Sequence, residues 1–121
     1  MTEDAITDPV WQKNVVSILA SLAVANQTIT YADLADLAAL PSPHRIHKLT
    51  NYLETLIAED IGAAGPIRAA VVISKRDHGM PAEGFFDCCR SYGLAPHSGE
   101  NDTAFHQRLL TTLYQSAASS E

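Results

Sequence analysis

Apolar positions recur every three or four residues through most of this chain, the period of helices that bury one side. Trp11, Val15, Ile18, Leu19 and Leu22 keep that spacing in the first such stretch. Asp8 is placed to cap a helix there, and Pro9 falls in the first turn, where a missing N–H costs nothing. Asn26-Gln27 ends it. Thr30 opens a second helix, and Asp33 three residues later completes a T-x-x-D capping box. Tyr31, Leu34, Ala35 and Ala38 form its apolar stripe, with alanines that permit close approach of a neighbour.

Pro41-Ser42-Pro43 then turns the chain, with Ser42 as cap and Pro43 at the first position of a third helix. At about 100° per residue, Ile46, Leu49, Leu53, Leu56 and Ile57 fall on one side of it. His44, His47, Lys48, Asn51 and Thr55 fall on the other, flanked by Arg45 and Tyr52.

After Gly62-Ala63-Ala64-Gly65-Pro66 the period changes. Ile67-Arg68-Ala69-Ala70-Val71-Val72-Ile73 is apolar and β-branched and predicts a buried strand. Lys75-Arg76-Asp77-His78-Gly79 is a charged turn, with Gly79 available for a positive φ. Met80 to Phe86 would bring the chain back as a short edge strand limited by Pro81. Phe85 to Tyr92 predicts a short helix closed by Gly93. Asp102 or Thr103 opens a final helix with Phe105, Leu109, Leu110, Leu113 and Tyr114 on its apolar face, and the tail from Ser116 should fray.

The pattern therefore predicts an α+β, mostly helical fold: a winged helix-turn-helix with a short β-hairpin and extra C-terminal helices. One domain fills residues 1–121, with the helix-turn-helix at about 30–59, the wing at about 67–86 and the C-terminal helices at about 85–117.

Charge changes this picture. The net charge is −6, too acidic for a protein that coats nucleic acid without selection. Between Pro41 and Arg76, however, five basic residues (Arg45, Lys48, Arg68, Lys75, Arg76) outnumber three acids (Glu54, Glu59, Asp60). An acidic body with a mildly basic middle suits a weak or site-selective binder. No apolar run is long enough to span a bilayer, and the acidic Met1-Thr2-Glu3-Asp4 is unlike a secretory signal, so a cytoplasmic protein without membrane association is expected.

Candidate chemistry adds little. Adjacent Cys88 and Cys89 make a poor disulfide and read as reduced, partly buried thiols. His44 and His47 share a helix face, but His78, His97 and His106 lie elsewhere without ligand spacing, so no metal is expected. No motif ties a serine or cysteine to a histidine and an orienting carboxylate, and Gly62-Ala63-Ala64-Gly65 lacks the lysine of a phosphate loop. No enzymatic activity and no cofactor are expected.

Thr30-Tyr31-Ala32-Asp33-Leu34-Ala35 resembles the T-Y-G-D-I-A segment that begins the DNA-binding part of alkylguanine alkyltransferases and alkyltransferase-like proteins. The resemblance spans roughly Thr30 to Gly79. It implies a winged helix-turn-helix in which an arginine early in the recognition helix pushes into the duplex, and Arg45 stands at that position. The family's reactive-cysteine box, P-C-H-R, is replaced by Pro66-Ile67-Arg68-Ala69-Ala70-Val71-Val72, so the resemblance does not extend to alkyl transfer.

The resulting expectation is a DNA-binding regulator or accessory factor. His44, Arg45, His47, Lys48 and Asn51 would face the major groove of double-stranded DNA, with Lys75 and Arg76 on phosphate. A homodimer on repeated half-sites is compatible with this. The alternative is a protein-interaction module whose partner or dimer surface is the C-terminal helix, through Phe105, Leu109 and Leu113.

Overall fold

Two tight turns, one built on prolines and one on an aspartate, decide how the helices are laid out. The computed structural model describes residues 9–77 and 79–119. Its elements run α1 (Val10–Ala25), β1 (Ile29–Thr30), α2 (Tyr31–Leu37), α3 (Arg45–Gly62), β2 (Val72–Ile73), α4 (Glu83–Ser91) and α5 (Asp102–Ser119). Two 3-10 turns, Arg68–Val71 and Lys75–Asp77, flank β2. The described residues are thus mostly helical, with one small parallel sheet.

Pro9 precedes the first turn of α1, while the cap expected at Asp8 lies outside the described residues. Val15 and Leu19 are fully buried, and Trp11, Ile18 and Leu22 pack at the edge of the core. Asn26 ends the helix in the left-handed conformation, which a short amide side chain tolerates. Thr30 caps α2 as its sequence predicts: the Thr30 hydroxyl oxygen accepts from the Asp33 N–H at 3.2 Å. Leu34, Ala35 and Ala38 are buried, whereas Tyr31 is half-buried and its hydroxyl accepts from the Ala82 N–H at 3.1 Å.

The third helix starts at Arg45, two residues later than its expected start at Pro43, and Ser42 does not cap it. His44 precedes it with φ near +60°, so the turn ends in a left-handed residue and not in a serine cap. Leu49, Leu53, Leu56 and Ile57 are buried as their spacing predicts. Ile46 is not. It lies in the first turn, beyond the body of the core, and stays 46% exposed.

The largest departure follows α3. Asp60, itself buried, holds the Arg68 N–H at 2.9 Å and the Arg68 guanidinium at 2.8 Å. The Asp60 carbonyl also accepts from the Gly65 N–H at 2.9 Å. This clamp winds residues 68–71 into a 3-10 turn in place of the expected strand over Ile67–Ile73. The small Ala69 and Ala70 bring that turn into contact with α1, α3 and α5. Only Val72 and Ile73 extend, and they pair in parallel with Ile29 and Thr30. Parallel pairing requires a crossover, which α2 and α3 provide.

No hairpin forms among the described residues. The Ser74 N–H donates to the Met80 carbonyl at 2.8 Å, closing a tight loop, and buried Pro81 has no N–H to offer a returning strand. The expected wing over 67–86 is therefore a turn, followed directly by α4.

That helix begins at Glu83, earlier than expected, and Gly93 with φ near +89° closes it. α5 opens at Asp102, one of the two expected starts, and Asn101 before it is the cap: its side-chain oxygen accepts from the Ala104 N–H at 2.9 Å. Helical structure continues to Ser119, past the expected fraying point at Ser116. Phe105, Leu109, Leu110 and Leu113 are buried in the core, which α5 reaches against α1. The apolar stripe of α5 thus faces inward and is not open to a partner. No helix of the described residues is long and apolar enough to cross a membrane.

Candidate nucleic-acid interface

The proline turn between α2 and α3 leaves carbonyl groups without helical partners, and two cations of α3 turn back to meet them. Arg45 donates through Nε to the Leu40 carbonyl at 3.1 Å and through Nη2 to Asp36 Oδ1 at 2.8 Å. Lys48 donates to the Pro41 carbonyl at 3.3 Å. Cations are favoured at a helix C-terminus, where carbonyl dipoles concentrate negative potential. Here both side chains brace the turn that follows α2, on carbonyls past its last residue, Leu37. The arginine that the resemblance places in the duplex is folded against Asp36, and the sequence reading gave Asp36 no role.

The outward flank of α3 stays open. His44, His47 and Asn51 are all exposed, and Lys48 is half-buried. The Asn51 amide lies 3.3 Å from His47 Nε2, and donation along that contact puts the imidazole proton on Nδ1. This steadies an amide that would otherwise rotate freely. Farther along the helix the character changes. Asn51, Glu54 and Thr55 border an open cleft of about 610 Å³ whose far wall includes Asp87 and Cys88 of α4 and Tyr92 just past its end. Two carboxylates there repel phosphate, so a polyanion meeting this face would extend no farther than Asn51.

Lys75 and Arg76 are exposed in the 3-10 turn that replaces the wing tip. They line one groove of about 310 Å³ together with Ile46 and Thr50 of α3 and Tyr31 and Ala32 of α2. Ile46 and Ala32 also border a second depression of about 430 Å³ that reaches His44, Arg45 and His47. His44, Arg45 and His47 thus adjoin the Lys75–Arg76 groove through Ile46 and Ala32, whereas Asn51 borders the α3–α4 cleft and Lys48 is turned to the Pro41 carbonyl. Sequence reasoning found the groove's charged members and missed its apolar floor, because Ile46 shares a bearing with core residues.

Other reactive groups lie apart from this face. The Cys88 thiol is pushed up from its ordinary value by burial and then by Glu54. Burial, then the neighbouring Cys88, pushes Cys89 up to about 12. Neither is a ready thiolate at neutral pH. His106 is buried and lies 2.7 Å from the Ala70 carbonyl, so its Nε2 carries the proton and donates. Burial lowers its pKa below 6.5 against the opposing pull of that carbonyl. Among the described residues, no three His, Cys, Asp or Glu side chains converge as metal ligands would.

Comparison with protein-family models, with curated proteins and with solved structures returns no match to this chain.

Proposed function

We propose that this chain is a non-enzymatic DNA-binding regulator or accessory factor of helix-turn-helix type, reading duplex DNA with α3. One observation carries the reading: the His44–His47–Asn51 flank of α3 is open while its opposite side is core, and Lys75 and Arg76 line an adjoining groove with Ile46 and Thr50 of the same helix. In this reading Asn51 donates to and accepts from an adenine edge, His44 and His47 meet bases or phosphate, and Lys75 and Arg76 hold phosphate. In this reading the Lys75–Asp77 turn does the work of a wing tip. Raised thiol pKa values at both cysteines agree with a binding role.

The test is a titration of mixed duplex and single-stranded DNA by fluorescence anisotropy at several salt concentrations. Affinity should be modest, favour duplex and fall steeply with salt. The double substitution Lys75→Ala, Arg76→Ala should lower the slope of log affinity against log salt by about 2 without changing the melting temperature. Equal slopes for variant and wild type would remove this turn from the interface.

A second reading, a protein-interaction module, is favoured by the internal tethering of Arg45 and Lys48 beside an exposed Ile46. It would place an acidic, partly apolar segment in the groove bordered by Lys75 and Arg76. Absence of duplex binding at low salt, with a folded protein, would favour it.

A further inference from the structure

The exposed apolar residue between these depressions has no part in the duplex-binding reading as given above. Ile46 is 46% exposed in the first turn of α3, outside the core that Leu49, Leu53 and Leu56 fill. It borders both depressions of the face, with the Lys75–Arg76 side on one flank and the His44–His47 side on the other. Any polyanion held by those flanks is brought down onto this side chain. Thr50, one turn on, and Ala32, across the groove, offer further methyl groups beside it.

A duplex presents one apolar group on its major-groove base edges, the C5-methyl of thymine. From this we infer that Ile46 is a specificity-determining residue that selects thymine through that methyl group. The inference rests on the duplex-binding reading and deepens it. Lys75 and Arg76 supply charge complementarity to the backbone, and the branched side chain beside them supplies the base preference.

The experiment compares two duplexes of identical mixed sequence, one with thymine throughout and one with deoxyuridine in its place. The substitution removes only the methyl groups, so it needs no knowledge of the register in which the protein binds. Burial of one methyl corresponds to about a fourfold change in affinity. Wild type should bind the thymine duplex at least about fourfold more tightly. Ile46→Ala should retain duplex binding and its salt dependence while losing the thymine preference. Because Ile46 lies outside the core, this variant should fold, which far-ultraviolet circular dichroism checks, and Ile46→Val should keep part of the preference.

Equal affinity of wild type for the two duplexes, or an undiminished preference in Ile46→Ala, would overturn the inference and leave duplex binding standing. Failure of wild type to bind either duplex would overturn the interface and this inference with it.

Discussion

Asp36 holds the guanidinium that a DNA-reading helix would most readily use. Its Oδ1 lies 2.8 Å from Arg45 Nη2 on a largely exposed surface, where such pairs are worth about 0–1 kcal/mol. A phosphate could compete for Arg45 at that level. Asp36→Ala should therefore tighten duplex binding severalfold, by removing a negative charge from the face and freeing Arg45. Unchanged or weaker binding in that variant would mean that Arg45 serves only the turn.

His106 makes a different prediction. Its folded pKa lies below the 6.5 of an unperturbed imidazole, so the unfolded chain binds the proton more readily. Stability from this group is then complete above pH 6.5 and is lost as the pH falls toward the lower folded value. Glu100 is held down to about 2 from 4.5, first by its hydrogen bond to Arg108 and then by the His97 N–H, so it acts only in more acidic solution. The melting temperature should fall between pH 7.5 and pH 5.5, about the range that brackets imidazole titration, and fall less in His106→Gln. Parallel curves for the two proteins would contradict the assignment.

Among the secondary elements, legibility followed how local the cause was. The Thr30–Asp33 cap, the buried stripe of α3 and the helical period of α1 and α5 are set within a few residues, and all could be read from the sequence. The segment Ile67–Ile73 could not. Its composition is that of a strand, but a carboxylate eight residues upstream takes its N–H and its arginine. A strand reading had no access to that partner, and the missing hairpin has a separate cause in the Ser74–Met80 loop and Pro81. Asp60→Ala would leave the Arg68 N–H and guanidinium without their acceptor, at a cost of about 2 kcal/mol. Urea unfolding should show a lowered midpoint with an unchanged slope. A midpoint within error of wild type would deny the clamp its role.

Within the candidate site, side-chain type was legible and side-chain disposition was not. His47 and Asn51 stand where their helical bearing puts them, since that depends only on the 3.6-residue period. Arg45 and Lys48 reach back to carbonyls whose positions depend on the whole Pro41–His44 turn. Exposure of Ile46 depends on where the core ends, a property of five packed helices.

Taken across the chain, the acidic body and the small basic face pull in opposite directions. A net charge of −6 repels DNA at long range, while attraction is confined to one end of α3 and the Lys75–Asp77 turn. Such a distribution keeps non-specific affinity low and makes any binding depend on close, oriented contact. Glu54 and Asp87 make the α3–α4 cleft poorly suited to a polyanion.

The most direct measurement is an amide nuclear magnetic resonance titration of the labelled protein with short mixed-sequence duplex DNA at low salt. Shift changes should concentrate at His44–Asn51 and at Lys75–Arg76, fade beyond Thr55 and reverse on adding salt. Changes centred on α5 or the α3–α4 cleft, or no changes at all from a folded protein, would contradict the proposed interface.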